Sequence, residues 1–196
     1  MPKVLVVGRL AEAYIAYVSL ASDMTMAGVL LGELVARPPV EGESDPVAGA
    51  LWSAAVVGYA RCFRTGRRKA YADKVPVPDE MRERHRWLLD HRNEHIAHLS
   101  RENEAEQAKV LLFLQPVGEP RAVAGAGWFG IRMVMPAADG LEGMRQLAAH
   151  FEEAFTALAD AANKRIVEQG QAVPVDQVYE ASERGRAMRI DEEFPP

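Results

Sequence analysis

Four of the five histidines in the 196-residue chain, His85, His91, His95 and His98, fall within 14 residues. Histidine ordinarily titrates near neutral pH, so such a cluster can shuttle protons or ligate a metal. Wound as a helix at about 100° per residue, His91, His95 and His98 fall within an arc of about 60°. Arg92 lies elsewhere, on the stripe of Leu89, Ile96 and Leu99 that would face a core. A guanidinium buried alone costs several kcal/mol, so Arg92 needs a carboxylate or a bound anion. Asp23, set in an otherwise apolar stretch, is one candidate partner, and a phosphate is the other.

Three chemistries compete for this segment. Arg92 could be a structural ion-pair residue, with the histidines on a solvated face. Alternatively, His91 and His95, with His98, Glu94 and Glu102 nearby, could converge on zinc or iron. The general-base and supporting motifs of known zinc helices are absent, however. The third is phosphate chemistry. Leu88-Leu-Asp-His-Arg-Asn-Glu-His-Ile-Ala-His98 resembles the signature of HEPN-domain proteins: an arginine, a polar residue that is often asparagine, and a histidine four to six residues after the arginine. Here Arg92 and His98 enclose five residues, and Asn93 follows the arginine. The stretch Ala50-Leu-Trp-Ser-Ala-Ala-Val-Val-Gly-Tyr-Ala-Arg-Cys-Phe63 and the pair Ser22-Asp23 look like a bacterial and phage group of HEPN-like proteins. The likeness thus covers roughly residues 20 to 104.

The resemblance implies a bundle of four or five helices that dimerises, and a metal-independent ribonuclease in toxin–antitoxin, phage-defence or RNA-control systems. It implies a catalytic set of Arg92, Asn93 and His98, with no metal and no cofactor. The ribose 2′-OH would attack the adjacent phosphate, leaving a 2′,3′-cyclic phosphate and a 5′-OH. His98 would move protons, an effect typically worth about 10²–10⁴-fold. Arg92 would stabilise charge on the phosphorane through its fixed donor fork, and Asn93 would orient the phosphate or the histidine. The partners would be RNA, tRNA among the candidates, together with an antitoxin and a second copy sharing the site. A HEPN-like binding or dimerisation module without catalysis is the alternative, because many members have lost activity. A metal-dependent hydrolase on the His91/His95/His98 stripe comes third.

Helix geometry constrains the first reading. Six residues of uninterrupted helix set Arg92 and His98 about 120° and 9 Å apart. Either the helix bends or ends near His98, as Ser100 and Asn103 permit, or a two-fold dimer shares the site.

The chain carries a net charge of −5, which excludes a globally basic nucleic-acid coat. Residues 61 to 92 nevertheless hold ten basic against five acidic side chains, so the remainder stands at −10. Such asymmetry suits a phosphate backbone on one face. Arg61, Arg64 and Tyr59, at the end of an apolar helix, are the expected RNA-binding residues, the two arginines as accessory phosphate contacts. The single cysteine, Cys62, excludes an internal disulfide, fits a reducing compartment and reads as a small core residue. Arg9, Glu12, Asp23 and Glu33 break the N-terminal apolar stretch before about 18 clean residues accumulate. Val4 to Val7 is too short a core for a signal peptide. The expectation is a cytoplasmic protein with no membrane span.

The elements that must position these residues are mainly α: a HEPN-like helical bundle with a β-hairpin inserted before the last long helix. Val4–Gly8 lacks the later glycines of a dinucleotide-binding turn. Helical spacing runs from about Leu10 to Ala36 and stops at Pro38-Pro39. Asp45-Pro46 is an N-cap and first-turn pair for a helix to about Phe63. After a loop with Pro76 and Pro78, a third helix is expected from about Asp79 to His98. Val110–Leu114 and Trp128–Met135 are β-prone with turn chemistry at Val117–Arg121, so a hairpin is expected at about 109–135. Trp128 and Phe129 would pack it onto the bundle. The last helix carries a stripe of Met144, Leu147, Phe151, Phe155, Leu158, Ala162 and Ile166. Residues 1–170 thus read as one domain, and 171–196 as a polar tail with a short helix near 176–184.

Overall fold

The fold is that of a computed structural model, which describes residues 3–38, 45–64, 66–93, 109–114, 123–129 and 135–189, with 109–114 and 123–129 as backbone. It is mainly α, with six helices among the described residues: α1 (Arg9–Ala36), α2 (Pro46–Ala60), α3 (Arg67–Ala72), α4 (Arg82–His91), α5 (Ala138–Ala172) and α6 (Val175–Glu183).

Helix α1 buries Tyr17, Leu20, Met24, Ala27, Leu31 and Leu34 at steps of three and four residues. That stripe lies along α5, whose Leu141, Met144, Leu147, Phe151 and Phe155 face it in one core. Thr25 adds a polar tie across the pair, its hydroxyl donating to Glu152 Oε1 at 2.8 Å. Leu158 and Ile166 of the expected stripe are only partly buried, at the thinner end of the bundle.

The Asp45-Pro46 pair starts α2. Asp45 Oδ1 accepts from Val47 N at 3.0 Å and Ala48 N at 2.9 Å, and so satisfies two of the first-turn donors. Trp52, Ala55, Val56 and Tyr59 of this helix are buried, and the chain then turns through Cys62 and Phe63, buried as well. Gly66, at φ 85°, reverses the path into α3. The sequence reading leaves this six-residue helix as loop.

Two further differences concern the third expected helix. A 3₁₀ turn occupies Asp79–Met81, so α-helix begins only at Arg82. Its α winding ends at His91, and Arg92 and Asn93 continue as π-type winding. The stretch to His98 lies outside the described residues.

Strands β2 (Lys109–Leu114) and β3 (Val123–Phe129) pair antiparallel, with Lys109 opposite Phe129 and an irregularity between Phe113 and Leu114. The turn expected at Val117–Arg121 lies outside the described residues, as do the side chains of Trp128 and Phe129. Strand β1 (Val6–Val7) runs parallel to β4 (Met188–Arg189), and Met188 N donates to Leu5 O at 2.7 Å. The stretch expected as a loose tail is therefore tied back to the start of the chain. Its short helix is α6.

By length and composition alone α1 is apolar enough to cross a membrane, an 18-residue window of it having a mean hydropathy of 1.4, although Glu12, Asp23 and Glu33 leave it no charge-free run of that length. Only 33% of that window is buried inside the fold.

Candidate functional site

Two polar–aromatic pairs bolt α4 to α2. Trp52 Nε1 donates to His91 Nε2 at 3.1 Å in the core. The His91 ring, 4% exposed, stacks on Trp87 at 4.5 Å and 13° and lies 5.5 Å from the Trp52 ring. Nearer the start of α4, His85 Nδ1 lies 2.7 Å from the Tyr59 hydroxyl, with Phe63 edge-on at 4.8 Å. Burial lowers the pKa of His85. The seven-residue step from Trp52 to Tyr59 matches the six-residue step from His91 back to His85, as two antiparallel helices require. These pairs fix the end of α4 against the middle of α2, and the first half of α4 against the end of α2.

The pairing corrects the histidine stripe. Indole N–H can only donate, so the lone pair of His91 Nε2 is engaged and closed to a metal. His91 Nε2 is thus not free to hold a metal, while His95, His98, Glu94 and Glu102 lie outside the described residues. No group of three or more His, Cys, Asp or Glu side chains is placed to hold a metal ion among the described residues.

Arg92 and Asn93 sit where the α winding stops, and both are half-buried. Interruptions of this kind recur at functional sites because they redirect side chains that a regular helix would point elsewhere. Arg92 Nη1 lies 3.5 Å from Asn93 Oδ1, a long contact, and the rest of the guanidinium fork has no partner among the described residues. No carboxylate pairs with Arg92 among the described residues. The structure thus brings Arg92 and Asn93 together, while His98 lies outside the described residues.

Asp23 is not the partner of Arg92. Its carboxylate, 12% exposed, takes two other guanidinium groups. Arg61 grips it with both Nε, at 2.7 Å, and Nη2. Arg68 Nη1 reaches Asp23 Oδ2 at 2.7 Å and Ser19 Oγ at 3.0 Å. Arg61, expected to hold RNA, is half-exposed but committed to this bidentate pair. Tyr59, expected beside it, is fully buried with its hydroxyl on His85, which leaves no surface for a nucleic acid. Arg64 is half-buried in the turn after α2. Cys62 Sγ lies 3.8 Å from Asp23 Oδ2, and burial, reinforced by that negative charge, pushes the thiol up to about 12. At neutral pH it is a protonated core side chain, not a nucleophile.

The chain matches no family model, no curated protein and no solved structure.

The signal for the α2–α4 pairing was present in the sequence. Trp52 and Tyr59, seven apart on an apolar helix, each bring a polar atom that requires a partner once buried. His85 and His91 are the residues that answer them.

Proposed function

We propose that the protein is a metal-independent RNA endonuclease of the HEPN type, with Arg92 at the reacting phosphate. One observation carries the reading. A half-buried guanidinium stands at the interrupted end of α4, and the acid the sequence offered it is held by Arg61 and Arg68. An anion is the remaining counterion chemistry among the described residues, and a planar donor fork suits a phosphate's equatorial oxygens. The resemblance of Arg92, Asn93 and His98 to the HEPN signature supplies the reaction. The ribose 2′-OH attacks the adjacent phosphorus and the 5′-oxygen leaves. Arg92 steadies the phosphorane charge, Asn93 orients the phosphate or the histidine, and His98 transfers protons.

Association as a homodimer belongs to the same proposal. Val18, Met26 and Val29 on α1 and Val57 on α2 are exposed apolar side chains, which supports a covered face.

The test is end-group analysis of tRNA digested in EDTA. Products with 2′,3′-cyclic phosphate and 5′-OH ends support the reading. The opposite ends, a 3′-OH and a 5′-phosphate, overturn the mechanism. No cleavage of any RNA by a folded dimer moves the assignment to a non-catalytic HEPN-like binding module.

A further inference from the structure

We propose that the open groove between α1 and α3 binds a nucleoside phosphate, with Arg68 as its anchor. The groove measures about 660 Å³, within the range of small-ligand sites. Arg68 lines it, 32% exposed, with Nη1 fixed to both Asp23 and Ser19. A guanidinium has five N–H donors, and those on Nε and Nη2 have no partner among the described residues. A side chain held along one edge offers its remaining donors with little further loss of rotamer freedom, which is how a binding site is preorganised.

The surroundings select the ligand. Arg67 and Lys74, both exposed, flank Arg68. Among the residues that line the groove, Arg67, Arg68 and Lys74 stand against Glu12, which lies 3.8 Å from Arg67. A local positive excess in a chain of net charge −5 favours an anion. The wall beside it is apolar and aromatic: Ile15 is 65% exposed, and the Tyr71 ring lines the same groove. A bare inorganic anion would leave that wall unused. A nucleotide uses both parts, its base against Tyr71 and Ile15 and its phosphate on Arg68, Arg67 and Lys74.

This groove is a separate contact from the Arg92 site. Trp52, which holds the end of α4, and Arg61, which grips Asp23, are nine residues apart, about 13 Å along a helix axis. A free mononucleotide and a nucleotide within RNA share this chemistry. The proposal takes the RNA strand, and for that choice alone it rests on the RNA reading above.

The experiment uses the full chain, a short fluorescein-labelled single-stranded RNA followed by anisotropy, and AMP followed by calorimetry. Arg67→Ala/Lys74→Ala changes only exposed side chains, so its thermal midpoint should match wild type. It should weaken RNA binding about tenfold and lower the slope of log Kd against log salt by about 1.4. Ser19→Ala, which frees Arg68, should weaken binding less. RNA binding with wild-type affinity and slope in the double variant overturns the proposal, and so does a wild-type protein that binds neither probe. AMP binding without RNA binding overturns the choice of strand. Cleavage measured in parallel separates this site from the nuclease reading. RNA bound through the groove without cleavage leaves the groove standing and removes the nuclease. Cleavage that depends on Arg92 but not on Arg67 and Lys74, with RNA affinity unmoved, does the reverse.

Discussion

Trp52 gives its one polar hydrogen to His91 Nε2, and the two rings close against Trp87. Removing that hydrogen leaves a buried acceptor unmatched, which costs about 1–3 kcal/mol. Trp52→Phe keeps an aromatic ring in the core, so urea unfolding should show a loss in that range. A loss below a few tenths would mean the contact contributes nothing specific. His85 gives a pH-dependent counterpart. Burial lowers its pKa from 6.5, so the folded state disfavours the imidazolium. The unfolded chain then binds the proton more readily, so this stability is full above 6.5 and is lost below it, as pH falls through the lower folded value. As pH falls below about 6.5, wild type should lose stability more steeply than His85→Gln does. Identical slopes in urea midpoints would contradict the assignment.

At the scale of elements, the helices with long apolar stripes were legible from the sequence. Leu20, Met24, Ala27, Leu31 and Leu34 mark α1, Phe151 and Phe155 mark α5, and Asp45-Pro46 marks the start of α2. Asp45→Ala should cost about 1 kcal/mol by removing the side-chain acceptor of two amide donors. An unchanged thermal midpoint would show that solvent caps the helix equally well. Helix α3 was not legible, because six residues are too few for periodicity and its anchor is tertiary: Arg68 on Asp23 and Ser19. The partner of Asp23 was misread for a similar reason. The α2–α4 pairing sets His91, next to Arg92, against the middle of α2, whereas Asp23 meets Arg61 at its end. Sequence spacing does not carry that topology. The histidine face was misjudged because a helical wheel gives angles, and only packing decides that His91 lies against Trp52.

For the whole molecule, the sequence gives a net charge and the fold distributes it. The basic stretch around residues 61 to 74 gathers beside Asp23 and Ser19. Val18, Met26 and Val29 of α1 are exposed apolar side chains. If they join two copies, Met26→Glu should convert a dimer to a folded monomer in light scattering; a monomeric wild type would contradict the shared site. The most direct measurement is cleavage of total RNA in EDTA by wild type and by a folded Arg92→Ala variant. Wild type should cleave, and the variant should lose at least about a hundredfold in rate. Equal cleavage by both proteins would contradict the role proposed for Arg92.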